Sequence, residues 1–119
     1  IYLFGVVYKG FYHESTLLTP AQVLHTATRA GALSQGRTDC GKLAVGYKAD
    51  LCVIDTDTPQ FTPMTDAACN VVYAAQGADV RLTMVDGEVL YRDGEFKTID
   101  IEKVKAETQK RTDAILRRL

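Results

Sequence analysis

The sequence lacks the features that mark several classes of protein. It contains no run of about 18 apolar residues, the length that a bilayer-spanning helix needs, and no low-complexity tract of the disordered kind. Neither sign of charge is in excess, since 14 basic residues stand against 15 acidic ones. These absences argue against a membrane-spanning protein, a disordered segment, and a nucleic-acid or membrane-surface binder.

Cysteine is also scarce, with Cys40, Cys52 and Cys69 as the full set. An odd number cannot pair completely within one chain, and disulfide-dependent domains of this size carry an even, denser set. A zinc site that combines these thiols with His13 and His25 would need closely spaced ligand pairs, which the sequence does not contain. We therefore predict three buried thiols in a reducing cytoplasm and no metal site.

The composition itself is that of a globular domain, with 46% of the 119 residues hydrophobic and 24% charged. A chain of this length can bury roughly two-thirds of its unfolded surface, so one independent core is expected. The first residues, Ile1-Tyr2-Leu3-Phe4, are apolar and include neither an initiating methionine nor the basic leader of a signal peptide. We expect a cytoplasmic protein whose first helix is the end of a longer one.

Helical periodicity predicts two helices before residue 37. The first lies within residues 1–13, where one face is apolar: Ile1, Phe4, Tyr8 and Phe11. The second begins at the strongest start signal of the sequence, a threonine cap followed by proline and glutamine in Thr19-Pro20-Ala21-Gln22. Gly36 is its predicted stop.

After Gly36 the spacing becomes that of short strands. Strands are predicted at 41–46, 49–55, 80–85, 88–92 and 95–97, with turns at Asp86-Gly87 and Asp93-Gly94. The segment 56–66 is predicted as an extended loop and 70–75 as a short helix. Asp100 is predicted to cap a last helix, with one face formed by Ile101, Val104, Thr108, Ile115 and Leu119.

Groups that could carry chemistry are few and dispersed. His13 and His25 lie on different predicted elements, and the sequence has no H-x-H, H-E-x-x-H, nucleophile-elbow or phosphate-loop pattern. Several aspartates lie mostly at strand ends, where Asp favours turns: Asp50, Asp55, Asp57, Asp79, Asp86 and Asp93. The residues alone predict an accessory domain without catalytic, cofactor-binding or metal-binding residues.

The order of the short motifs nonetheless resembles a known family. The motifs are ATRAGA at 27–32, GKL at 41–43, VGYKADLCVID at 45–55, NVVYAA at 70–75, DV at 79–80, MVDGEV at 84–89 and DG at 93–94. In this order they resemble the C-terminal end of the amidohydrolase superfamily of metal-dependent hydrolases. The segments 71–75 and 78–80 look most like its deaminase and chlorohydrolase branch, whose members act on S-adenosylhomocysteine, methylthioadenosine, guanine, cytosine and triazines.

The resemblance implies an α+β fold with terminal helices that pack on a (β/α)8 barrel, part of a composite small β-sandwich, and a C-terminal helix. It assigns residues 1–36 to the end of the barrel, 37–99 to the partial sandwich and 100–119 to the last helix. It also implies a divalent metal (zinc, iron or manganese) in the parent enzyme, with all its ligands upstream of Ile1. His13 and His25 match no ligand position, so we expect no metal, cofactor or catalytic residue in this chain.

Three hypotheses fit these observations. The first is an inactive C-terminal fragment of an amidohydrolase that hydrolyses non-peptide C–N or C–Cl bonds. The second is a stand-alone binding or oligomerisation module derived from the sandwich, and the third is a small enzyme that uses His25 and a nearby carboxylate. Uncovered strand edges and an apolar face would seek partners. We therefore expect self-association to a dimer or a larger assembly by strand or helix exchange, without a nucleic-acid or membrane partner.

Overall fold

The computed structural model describes residues 1–118 and has an α+β architecture. Its four-stranded antiparallel sheet follows the order of the chain: β1 (Leu51–Ile54), β2 (Val80–Val85), β3 (Glu88–Arg92) and β4 (Glu95–Phe96). The helices are α1 (Tyr2–Tyr12), α2 (Pro20–His25), α3 (Gly31–Ser34), α4 (Ala67–Tyr73) and α5 (Ile101–Leu116). The predicted position of Leu119 on the last helix lies outside the described residues.

The predicted start of the second helix is confirmed. The Thr19 N–H donates to Gln22 Oε1 at 2.8 Å, and the Gln22 N–H donates to Thr19 Oγ1 at 3.4 Å, so a capping box is formed. The helix is not a continuous α-helix, because Thr26–Ala30 forms a π-helical turn between α2 and α3. Gly36 follows with a φ of +73°, as expected for a left-handed helix stop.

The strand predicted at 41–46 is wrong, since these residues form bends and a turn. Gly41 and Gly46 bound the segment with φ values of +81° and +83°, which interrupt an extended backbone at both ends. Within the described residues no strand pairs with the segment, and the Leu43 and Val45 side chains are exposed. Its alternating pattern therefore has neither the backbone geometry nor the neighbour that a strand requires.

The same segment is attached firmly to the helix that precedes it. Arg29 Nη1 donates to the carbonyl oxygens of Thr38 at 3.1 Å and Cys40 at 2.7 Å. A Cβ atom on Gly41 would lie 2.9 Å from Ala32 Cβ and 2.9 Å from the Thr28 carbonyl oxygen, so only glycine fits there. The loop between the helices and the sheet is thus fixed by backbone contacts.

The predicted hairpin turns are confirmed. Asp86 and Gly87 have φ values of +51° and +84°, and Asp93 and Gly94 have values of +47° and +91°. Positive φ at both central residues is the requirement of a type I′ turn, which matches the twist of the two strands that it joins. The two turns connect β2 to β3 and β3 to β4.

A small core lies where α1, α2 and α4 meet. A Cβ atom on Gly5 would lie 3.4 Å from Tyr73 Cε1 and 3.5 Å from Val72 Cγ1, so α1 approaches α4 closely at this glycine. Within residues 1–118 the buried apolar residues are Val23, Ala32, Cys40, Phe61 and Val72. Asp79 is a buried charged residue.

Both oxygens of the buried Asp79 carboxylate accept hydrogen bonds. The Gln76 N–H donates to Oδ2 at 2.7 Å, and Gln60 Nε2 donates to Oδ1 at 2.8 Å. A buried carboxylate is costly unless it is hydrogen-bonded. These bonds therefore give Asp79 the structural role expected from its position before a strand.

The prediction of three buried thiols is confirmed for Cys40 and wrong for the other two. Cys40 is buried, Cys69 is partly exposed and Cys52 is exposed. Cys52 lies on β1, where no described element covers its side chain, whereas Cys40 is enclosed beside the π-helical turn. Burial of a strand residue depends on what covers the sheet, which local sequence does not reveal.

The last helix begins as predicted, with the Lys103 N–H donating to Asp100 Oδ1 at 3.0 Å. None of its described residues is buried. No helix within residues 1–118 combines the length and the apolar character needed to cross a membrane.

An ion pair joins the end of β1 to β2. Arg81 donates to Asp55 Oδ2 from Nε at 3.0 Å and from Nη2 at 2.7 Å, and the Asp57 N–H donates to Asp55 Oδ1 at 2.9 Å. The hydrogen bonds from Arg81 and then from Asp57 hold the pKa of the Asp55 carboxyl below its ordinary value of 3.8. The ionised carboxylate therefore contributes to the stability of the sheet.

We expect Gly41→Ala to lower the free energy of unfolding by about 2–4 kcal/mol, through the left-handed backbone and the steric overlap together. Gly46→Ala is a matched control, because its φ is +83° but no atom lies within 4 Å of the new Cβ. The control should cost only about 1–2 kcal/mol. Urea unfolding of both variants and the parent measures the difference, and equal losses would contradict the close contact at Gly41.

Because the pKa of Asp55 is lowered in the folded state, its contribution is present above the unfolded pKa and is lost as the pH falls through the folded pKa. The unfolding free energy of the parent should therefore fall as the pH drops below about 5. Asp55→Asn should show a shallower fall, since its side chain has no proton to gain. Chemical unfolding at each pH tests this, and an unchanged slope in the variant would rule out the role of Asp55.

Candidate functional site

A cleft of about 570 Å³ lies between the helical segment 27–35 and strands β1 and β2. Its lining includes Thr28, Ala32, Arg37, Cys40, Leu43 and Cys52. The loop fixed by Gly41 forms one wall, so the shape of the cleft depends on the close backbone contact described above. Charged groups, thiols and apolar side chains occur together in this cleft.

The carboxylate at the rim of the cleft is fully engaged in structural bonds. Arg37 Nη2 donates to Asp50 Oδ2 at 2.8 Å, and the Asp86 N–H donates to Asp50 Oδ1 at 2.8 Å. The backbone bond from Asp86, followed by the bond from Arg37, lowers the pKa of the Asp50 carboxyl from its ordinary 3.8, against an opposing effect of desolvation. Asp50 therefore stays ionised near neutral pH and is unsuited to be a general acid.

The thiols of the cleft have no catalytic partner. Activation of a cysteine nucleophile requires a neighbouring base or a group that lowers its pKa. No histidine belongs to the lining of the cleft in the described part of the chain. Cys40 is enclosed, and Cys52 is open to solvent on the sheet. The arrangement can accept an apolar group, but it does not assemble a nucleophile with a base.

The two histidines are placed apart from this cleft. His13 ends α1 in a left-handed conformation, with φ of 54° and ψ of 33°, and its side chain is exposed. His25 is the last residue of α2 and borders a shallow groove with Leu18, Ala21, Gln22 and Thr26. Among the described residues, no carboxylate lines that groove. The hypothesis of a small enzyme built on His25 therefore lacks its second group there.

A divalent metal, which the family resemblance implies for the parent enzyme, does not fit residues 1–118. A zinc site requires three or four N, S or O ligands that converge on one point. Nowhere in this range do three or more His, Cys, Asp or Glu side chains gather closely enough to hold an ion. No metal-dependent step can be assigned to these residues.

Two sets of polar contacts were not predicted from the sequence. Lys9 Nζ donates to the Tyr73 hydroxyl at 2.6 Å and joins α1 to α4. The Tyr47 ring lies near two cations, with Lys42 Nζ at 4.5 Å and Arg29 Cζ at 5.5 Å from its centroid. Lys9 and Tyr73 are 64 positions apart, so no local signal could have paired them. Both sets connect structural elements and do not surround a reactive group.

Comparison with known proteins gives this arrangement a family. The sequence profile of the Amidohydrolase family matches residues 4–91. The chain is similar to the 5-methylthioadenosine/S-adenosylhomocysteine deaminase of Desulfitobacterium hafniense, with 44% identity over 101 residues, which are 85% of this chain and 23% of that protein. It is also similar to the 5′-deoxyadenosine deaminase of Methanosarcina mazei, with 40% identity over 104 residues, which are 87% of this chain and 24% of that protein. The chain spans less than a quarter of the length of these relatives.

Solved structures show the same relation in three dimensions. The fold is similar to part of an adenosine deaminase from Xanthomonas campestris with bound zinc, at a TM-score of 0.90 and 26% identity, covering 94% of this chain and 26% of that one. It is also similar to an atrazine chlorohydrolase from Arthrobacter aurescens TC1 complexed with zinc, at a TM-score of 0.72 and 28% identity, covering 77% of this chain and 20% of that one.

The profile, the relatives and the structures agree with the motif order read from the sequence. The profile alone covers most of the chain, from the first helix to the third strand. The α+β arrangement of helices and antiparallel sheet is shared with the adenosine deaminase over nearly all of the chain. By sequence and by fold, this chain belongs to the amidohydrolase family.

Proposed function

We propose that this chain is the non-catalytic C-terminal part of a metal-dependent deaminase. The observation that carries the proposal is the mismatch in coverage, because one alignment takes in 85% of this chain but only 23% of a deaminase. The aligned part supplies helices and a sheet, and its described residues hold no catalytic constellation. The reactive groups of the whole enzyme would therefore lie in residues that precede Ile1.

The substrate class proposed for the whole enzyme is an adenosine-like nucleoside. Relatives at 44% and 40% identity are named as deaminases of 5-methylthioadenosine, S-adenosylhomocysteine and 5′-deoxyadenosine. The solved adenosine deaminase also matches more of the fold than the chlorohydrolase does, with a TM-score of 0.90 against 0.72, so we favour cleavage of a C–N bond over a C–Cl bond. In that reaction a water oxygen replaces the exocyclic amino group of the purine, and ammonia leaves.

The role of this chain in such an enzyme is structural. Residues 1–36 would end the barrel, 37–99 would contribute to the small sandwich, and 100–119 would form the terminal helix. The loop fixed by Arg29 and Gly41 would then hold the sandwich in position beside the barrel. The metal, zinc in two similar structures, would bind the upstream part, since residues 1–118 provide no ligand set. A cytoplasmic location is part of the proposal and agrees with three free cysteines.

The purified chain of 119 residues should not deaminate adenosine, 5′-methylthioadenosine or 5′-deoxyadenosine, even with zinc added. The longer product of the same reading frame should release ammonia from at least one of them, because it adds the groups that bind and activate water. A coupled ammonia assay on equal molar amounts of the two proteins measures this difference.

Two outcomes would contradict the proposal. One is chelator-sensitive deamination by the isolated chain. The other is an upstream reading frame that encodes no barrel strands and no H-x-H pair in frame with Ile1. A circular dichroism spectrum of the isolated chain serves as the control that a lack of activity does not come from unfolding.

A further inference from the structure

The sequence contains two Asp-Gly pairs, and both form the hairpin turns described above. Among aspartates, one followed by glycine rearranges most readily, because no Cβ shields the glycine nitrogen. That nitrogen attacks Cγ of the protonated aspartate side chain, and its hydrogen leaves with the carboxyl OH as water, so a cyclic succinimide forms. Water then opens the ring at either carbonyl. One opening restores aspartate, and the other gives isoaspartate, whose main chain runs through Cγ.

The two turns are closely matched in their local structure. Asp86 and Asp93 have φ values of 51° and 47°, and each is followed by a glycine with positive φ. Their side chains are exposed to 65% and 64%. Each aspartate N–H donates one hydrogen bond, to Asp50 Oδ1 at 2.8 Å and to the Arg81 carbonyl oxygen at 2.8 Å, respectively. A difference in reactivity must therefore come from the other bonds that hold each turn.

The attacking nitrogen is bonded in the first turn but not in the second. The Gly87 N–H donates to the Ala49 carbonyl oxygen at 3.2 Å. Lys48 Nζ also holds the Asp86 side chain, at 3.3 Å from Oδ2. The Gly94 N–H has no hydrogen-bond acceptor within residues 1–118. The nitrogen that must attack is thus free only in the turn between β3 and β4.

The strands beside the two turns differ in the same direction. β2 and β3 have six and five residues, whereas β4 consists of Glu95 and Phe96 and pairs with β3 at two positions. The cation nearest to the Asp93 carboxylate is Arg81, whose Nη1 lies 4.0 Å away while Nη2 is bonded to Asp55. Attack on Cγ requires the turn to open, and a short edge strand opens at the least cost in free energy.

We propose that Asp93 is a site of isoaspartate formation in the folded chain and that Asp86 is protected from it. The two sites share the dipeptide, the turn conformation and the exposure, and they differ in the bonds that keep the glycine nitrogen away from Cγ. These bonds all lie within residues 1–118. The inference concerns the chemistry of the main chain and stands apart from the proposed function.

The rearrangement would release the last strand of the sheet. Isoaspartate adds a methylene carbon to the main chain, so the turn no longer joins β3 to β4 in register. The pairing of Tyr91 with Phe96 and of Arg92 with Glu95 would be lost, together with the contact of the Tyr91 and Phe96 rings at 5.2 Å. Helix α5 follows β4, and none of its described residues is buried. Its attachment to the sheet would therefore be lost with β4.

Incubation of the purified 119-residue chain at mildly acidic pH tests the proposal. Peptide mapping with electron-transfer fragmentation in the mass spectrometer locates isoaspartate at each site. We expect at least about fivefold more product at Asp93 than at Asp86, because each hydrogen bond that opening must break lowers the open fraction by about that factor. In denaturing urea the two sites should react at nearly the same rate, since both have the sequence Asp-Gly-Glu.

Asp50→Ala is the matched variant, because it removes the acceptor of the Asp86 N–H and leaves the second turn intact. It should raise the product at Asp86 about fivefold and leave the product at Asp93 unchanged. Circular dichroism checks that the variant is folded. If Asp50→Ala is not folded, Lys48→Ala removes the cation beside Asp86 and should raise the product at the same site.

Equal amounts of isoaspartate at the two sites of the folded chain, or more at Asp86, would overturn the proposal. A preference for Asp93 that persists in urea would overturn it as well, because the preference would then come from the sequence and not from the fold. A folded variant that leaves the product at Asp86 unchanged would contradict the protection of that turn by its bonds.

Discussion

The close contact between Gly41 and the preceding helix connects the two parts of the molecule. Because Gly41 has no Cβ, its backbone can approach Ala32 and the Thr28 carbonyl at a distance that any side chain would prevent. Arg29 strengthens the contact by donating to two carbonyl groups of the same loop. The cleft, the position of β1 and the Arg37–Asp50 ion pair all depend on where this loop lies. A π-helical turn, which places Arg29 beside the loop, is the feature of the helix that makes the contact.

The sequence predicts those features whose cause is local. The Thr19 cap and the Asp86-Gly87 turn follow from the chemistry of neighbouring residues, and both are present. The strand expected at 41–46 is absent because its alternation needed a paired neighbour and extended glycines at its ends. The exposure of Cys52 and the contact of Lys9 with Tyr73 depend on elements that are distant in the sequence. A short stretch of sequence therefore cannot predict either of them.

The same distinction holds for the candidate site. Asp50 and Asp55 were expected at turns and strand ends. Each carboxylate accepts a hydrogen bond from an arginine side chain and another from a backbone N–H. Carboxylates used in this way stabilise the sheet and are poor candidates for proton transfer. The family could be read from the order of the motifs, although the side chains of residues 1–118 form no metal-ligand cluster. The order of short structural motifs can thus identify a family without a catalytic signature.

The central claim is that the chemistry of this amidohydrolase lies outside the present chain. The most direct measurement is the metal content of the purified chain, determined by elemental analysis after exposure to zinc, iron and manganese and removal of loosely bound ions. We predict far less than one metal ion per chain, since residues 1–118 offer no converging ligands. One tightly bound ion per chain would contradict the claim.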